Sequence, residues 1–145
     1  MLSRLPVAEL LAEIGARTPA PASGAATALT AALAAALAEL SARYADDGAA
    51  AERAHTLAAE LAELGDEDAE AYAAFMADRN EKTRAEIVRI PEEIARRADE
   101  VVELALRAAD GVSTSVAGDA HAAAELGRTA AGVARDLAAL NRAGS

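Results

Sequence analysis

Cysteine and tryptophan are absent from this 145-residue chain, and aromatic residues make up only 2% of it. Without cysteine there is no disulfide and no thiolate metal site, which suits a cytoplasmic home. With so few rings, no thick core of bulky side chains can be built. Basic charge is scarce as well. Lys and Arg number 14 against 24 Asp and Glu, for a formal net charge of −10, and the basic face of a nucleic-acid binder is not visible. The same balance opposes docking to an anionic membrane, and no aromatic belt marks an interface. The segment MLSRLPVAELLAEIGA is amphipathic, not a continuous apolar run, and reads poorly as a signal peptide. Phosphate loops, dinucleotide fingerprints, HExxH pairs and nucleophile elbows are missing too.

What the chain has is alanine, close to a third of all residues. Alanine is the best helix former and has no side-chain entropy to lose. Helices can then approach closely along small-residue faces, with Leu, Ile and Val as the larger knobs. The expectation is an all-α single domain over residues 1–145, an antiparallel bundle of about six helices. The first runs from about Pro6 to Ala16, with Val7, Leu10, Leu11 and Ile14 on one face. The second runs from about Gly24 to Tyr44, with Leu29, Leu33, Leu37, Leu40 and Tyr44 on one stripe; no charge falls between Gly24 and Ala38. A helix apolar on all sides must be covered on all sides, by its own bundle or by a second subunit. Asp46-Asp47-Gly48 breaks it. A third helix covers about Ala49 to Leu64, with Leu57, Leu61 and Leu64 inward, and stops at Gly65. Asp66 then caps a fourth, which carries Tyr72, Phe75 and Met76. A fifth, from Thr83 to Ala109, buries Ile87, Ile90, Ile94, Val101 and Ala105, and Pro91 should kink or split it. The sixth, from Ser115 to Asn141, places Leu126, Ala130, Val133, Leu137 and Leu140 on a seam suited to another helix.

The stretch from Pro19 to Leu33, PAPASGAATALTAAL, carries the most information. A rigid Pro-x-Pro turn leads into Ser23-Gly24, and a long helix begins at once. Ser23 reads as the N-cap, and Gly24 admits a close neighbour at the first turn. The first N–H groups of that helix face an open corner with partial positive charge, able to hold an anion or a polar ligand. The same features also suffice for a well-made helix start.

The order of features carries a resemblance. After the PAP turn and its Ala-rich helix come GDEDAEAYAAFMAD (Gly65 to Asp78), IPEEIARRADEVVELA (Ile90 to Ala105), GDAHAAAEL (Gly118 to Leu126) and a closing Asn141. This resembles the cyclodeaminase/cyclohydrolase family, which includes the C-terminal domain of formiminotransferase-cyclodeaminase and bacterial methenyltetrahydrofolate cyclohydrolases. The resemblance implies a helical homodimer acting on the one-carbon unit of a tetrahydrofolate derivative. Its reaction is either ring closure of formiminotetrahydrofolate with release of ammonia, or hydrolysis of the methenyl form. Neither needs a metal or a tightly bound cofactor; both need proton transfers around an amidine-like carbon.

On that resemblance the catalytic candidates are Asp68 and Asp119. The substrate-binding candidates are Ser23, Gly24, Ala25, Tyr72, Lys82 and His121. Asp68 and Tyr72 lie one helical turn apart and share a face, a carboxylate beside a ring that can stack on a pterin. The plainer alternative is an acid favoured by a helix dipole and a core tyrosine. Asp119 can hold a pterin nitrogen or act as base, or simply favour the start of its helix, and His121 also fits a surface histidine. Lys82, with Arg79 and Arg84, forms the one basic spot, suited to the anionic tail of a folate or to solvent. The family's PAPGGGS turn reads Pro19-Ala20-Pro21-Ala22-Ser23-Gly24-Ala25 here, Gly118 replaces the family's Ser, and the chain is short around Asp78 to Thr83 and at its C-terminus. Two functions therefore stand side by side: a folate enzyme, and a non-catalytic helical interaction or scaffold protein that keeps the fold with a degraded site.

Overall fold

A computed structural model describes residues 1–144. A 3-10 turn, Leu2–Arg4, precedes five α-helices: α1 (Val7–Gly15), α2 (Ser23–Tyr44), α3 (Gly48–Ala77), α4 (Glu81–Asp110) and α5 (Thr114–Ala143). There is no strand among the described residues. Helices α2 to α5 form the bundle. Each packs on the next and α5 returns to α2, while α2 also reaches α4 across the centre. The connections are tight turns at residues 45–47, 78–80 and 111–113, short enough to make neighbours antiparallel.

The expected six helices are thus five, and the reason lies in Gly65-Asp66. Neither residue ends a helix. A Cβ on Gly65 would sit 3.4 Å from Ala28 Cβ and 3.5 Å from the Ala25 carbonyl, so this glycine marks the close approach of α2 to α3. Asp66 is no N-cap either. It lies buried within α3 and receives the N–H of Leu2 at 2.6 Å and the Ser3 hydroxyl at 2.8 Å. It clasps the N-terminal turn from 63 to 64 residues away. Pro91 does not split α4, which runs through it.

The second helix is turned inside out relative to its expected stripe. Its buried side is alanine: Ala25, Ala28, Ala31, Ala34, Ala35, Ala38 and Ala42. Leu33, Leu40 and Tyr44 face outward, Leu33 and Tyr44 by about two thirds (67% and 64% exposed). Small side chains win the inside because α3, α4 and α5 all crowd against α2, and only a methyl fits between axes that close. The large knobs come instead from the partners: Leu57, Leu61 and Leu64 of α3 and Ile87, Ile90, Ile94 and Val101 of α4, all buried as expected. On α5, Leu126, Val133 and Leu140 of the expected seam point outward, while Ala130 is buried. The apolar face of α1 is only partly covered, with Val7 and Leu11 exposed and Leu10 and Ile14 half-buried. No α1 residue is buried, and α1 makes no extensive contact with the bundle.

The turns follow local chemistry. At the end of α2, Asp46 adopts a left-handed φ of 54°, with Asp47 N–H on Ala42 O and Asp46 N–H on Arg43 O, a Schellman closure with aspartate in glycine's usual place. Asp47 then caps α3 through Ala50 N–H. Before α4, Asn80 and Thr83 cap each other reciprocally. This is why the short stretch at residues 78–83 makes a firm turn. By length and composition α2 is apolar enough to cross a membrane, but half of it is buried in the bundle.

Candidate functional site

The PAP turn delivers the chain to the start of α2. Ala20–Pro21 is a cis peptide, Pro21 is buried, and Ala22 stands at the N-cap with φ −146°. Ser23 is therefore the first helical residue, not the cap, and no side chain caps this helix. Its leading N–H groups have no intrahelical partner. Beside them opens a cleft of about 200 Å³, closed by α3 through Asp68 and Tyr72, by α4 through Pro91, and by α5 through Leu137, Leu140 and Asn141.

Asp68 is the chemical centre of this cleft. Its carboxylate presses on the backbone of Gly24: a Cβ there would lie 2.1 Å from Oδ2 and 2.3 Å from Cγ. Only glycine tolerates that approach. Among the described residues no hydrogen bond and no cation reaches the carboxylate. Burial alone therefore raises its pKa, from an ordinary 3.8 to about 6. A carboxyl poised there exchanges protons near neutral pH, the property expected of a general acid–base.

Tyr72 follows one turn later in α3 and leads out of the cleft. Its ring lies 6.3 Å from that of buried Phe75, tilted by 48°. The guanidinium carbons of Arg79 and Arg84 sit over the Phe75 ring at 5.4 and 5.2 Å. These residues line a second recess that shares Tyr72, Leu140 and Asn141 with the first. The two recesses are neighbours across Tyr72, Leu140 and Asn141, one acidic at Asp68 and the other basic at Arg79 and Arg84.

Residues 6–141 match the formiminotransferase-cyclodeaminase family. The chain belongs to that family. No curated protein matches it. Within this formiminotransferase-cyclodeaminase fold, the altered glycine turn keeps a glycine at the position where one is needed. Gly24 faces Asp68, whereas Ala22 is exposed at the helix entrance and Ala25 is buried in the bundle outside the cleft lining.

The sequence candidates divide accordingly. The structure brings together Ser23, Gly24, Asp68 and Tyr72. It does not bring Lys82, which lines a separate, acid-rich groove with Glu67, Glu70 and Asp78. Arg79 and Arg84 supply the positive charge near the cleft instead. Asp119 and His121 are exposed on the first turns of α5. The cleft uses the other end of that helix, about 27 Å further along its axis at Leu137, so Asp119 does not meet Asp68 within one chain. Sequence reasoning gave no role to Asn141 or Pro91, although both line the cleft. The signal for Pro91 was its position inside a helix; for Asn141 it was only its place in the order of features.

Proposed function

We propose that this protein acts on the one-carbon unit of a tetrahydrofolate, as a formiminotetrahydrofolate cyclodeaminase or a methenyltetrahydrofolate cyclohydrolase, with Asp68 carrying the proton. One observation supports this above the others: a desolvated carboxyl, titrating near 6, held against Gly24 at the open end of α2. In ring closure, N10 of the folate attacks the formimino carbon. Asp68 accepts the N10 proton and returns it to the departing nitrogen. With one further proton from solvent, ammonia leaves and the methenyl cation remains. In the cyclohydrolase direction, the same carboxylate takes a proton from the water that attacks the methenyl carbon. Tyr72 offers a ring for stacking, and Arg79 and Arg84 offer guanidinium groups to the anionic tail.

A homodimer is part of this reading. Leu33, Leu40 and Tyr44 of α2 and Leu126, Val133 and Leu140 of α5, two helices that pack on each other, are exposed in one chain. A second copy would cover them.

A second reading rests on the cleft's size. About 200 Å³ is below the 300–1,000 Å³ usual for small-molecule sites, which favours a scaffold that keeps the fold without turnover. Calorimetric titration with tetrahydrofolate and folinic acid separates the two. Saturable heat supports the enzyme, and decay of methenyltetrahydrofolate absorbance tests the cyclohydrolase step. A folded protein that gives neither response removes the folate reading.

A further inference from the structure

Proline inside a helix removes one N–H and leaves the carbonyl four residues earlier without its partner. In α4 that carbonyl belongs to Ile87, because Pro91 supplies no donor. The gap is filled from another helix: Asn141 Nδ2 of α5 donates to Ile87 O at 2.7 Å. The Asn141 main-chain carbonyl is held in turn by Arg84 Nη1 at 3.1 Å. Asn141 is thus fixed at both its backbone and its side chain.

This fixes the sense of the amide. A carbonyl can only accept, so the atom facing Ile87 is the NH₂ group, and the remaining side-chain atom is an oxygen. No donor among the described residues reaches that Oδ1, and Asn141 lines the same cleft as Asp68, Tyr72 and Gly24. We propose that Asn141 is a specificity residue of this cleft: its NH₂ is committed to the carbonyl bared by Pro91, and its Oδ1 is a preset acceptor for an N–H donor of the ligand, an amino-substituted heterocycle or an amidine. The inference rests on the reading that the cleft takes a ligand of that class. It adds which edge of the ligand is read, and why an asparagine stands opposite a helical proline. Loss of the acceptor discriminates against the donor-bearing ligand alone, because only that ligand leaves a hydrogen bond unmade.

The test crosses residue and ligand. Binding of a 2-amino-4-oxo tetrahydropterin and of its 2-desamino analogue is measured by calorimetry on the wild type and on Asn141→Ala. The wild type should favour the amino compound by about fivefold or more, the worth of one hydrogen bond. The variant should lose that preference while its affinity for the desamino compound stays within about twofold. Asn141→Ala also strips Ile87 of its partner and can weaken the fold, so the same pair is measured in Pro91→Ala/Asn141→Ala. There the restored N–H of α4 satisfies Ile87 internally. That protein should melt higher than Asn141→Ala yet still fail to discriminate. If both ligands weaken equally in Asn141→Ala, or if the double variant regains the preference, the role of Asn141 is structural and the proposal falls. If neither compound binds the wild type, the cleft reading itself fails and this one with it.

Discussion

Asp68→Asn should inactivate the protein and make it more stable, by an amount that depends on pH in a defined sense. The folded pKa of Asp68, about 6, lies above its ordinary 3.8, so the folded state holds this proton more tightly than the unfolded chain. The favourable contribution is complete below about pH 4 and is lost as pH rises through 6. Above that, folding must keep an ionised carboxylate in a desolvated place. The shift is equivalent to about 3 kcal/mol. The positive end of α2 lies next to the group and opposes the effect, so this figure is a ceiling. Asparagine keeps the shape against Gly24 and carries no charge. At pH 8 the variant should be the more stable by about 1–3 kcal/mol, or up to about 10 °C in melting temperature for a chain of this size; at pH 4 the gap should close. Urea unfolding of both proteins at pH 4, 6 and 8 measures it, with turnover expected to drop by about 10²–10⁴. Parallel stability curves across that range would refute the argument, because they would mean that Asp68 is not desolvated in the folded protein. Full activity in the variant would separately remove it from the chemistry.

Other expectations follow from neighbouring contacts. Gly24→Ala should expel the Asp68 carboxylate from its seat, since the new Cβ would stand 2.1 Å from Oδ2; a carboxyl titration followed by NMR should find Asp68 back near its ordinary value, with ligand binding weakened at least tenfold. Gly65→Ala should be tolerated or stabilising by up to about 1 kcal/mol, because its Cβ meets only ordinary contacts at 3.4–3.7 Å and alanine is the better helix former; a loss above about 1 kcal/mol in urea would contradict the close-packing account. If a second copy covers the outer stripes, the wild type should sediment as a dimer at micromolar concentration and Leu33→Glu with Val133→Glu as a monomer, with the helical content unchanged. Asp66→Ala should free the N-terminal turn, seen as rapid amide exchange at Leu2 and Ser3, at a cost of about 1–3 kcal/mol.

Much of the fold is legible in the sequence because helix content here is intrinsic. Alanine density, the Ile row of α4 and the Leu57-Leu61-Leu64 row of α3 need no tertiary information, and all three helices after α2 begin within two residues of a local cap or turn signal. What failed was any inference in which a small residue has two meanings. Gly65 reads as a stop and serves as a contact point; Asp66 reads as a cap and serves a segment more than 60 residues away. In α2 the leucines look like the core, but the neighbouring helices already supply the bulk, so the methyl side turns inward. The site was half legible for the same reason. Spacing pairs Ser23 with Gly24 and Asp68 with Tyr72; that the two pairs share a corner is implied by the resemblance alone. The part played by Asn141 depends on a carbonyl exposed by Pro91 on a different helix, and no spacing along the chain encodes that meeting. The position of Asp119 at the far end of α5 is likewise a matter of helix direction, which the resemblance did not convey.

The methyl-lined interior of α2 has a consequence for how the protein can change. A core of leucine and phenylalanine is usually damaged by truncation, because removed atoms leave holes. Here there is almost nothing to remove, and the harmful direction is growth: a single ethyl or isopropyl group in place of Ala31, Ala35 or Ala38 has no space to enter and must push neighbouring rods apart. Substitutions on the outward surface of α2 leave that inter-helix spacing, and the recess it shapes at the helix tip, untouched; their cost falls on whatever covers that surface.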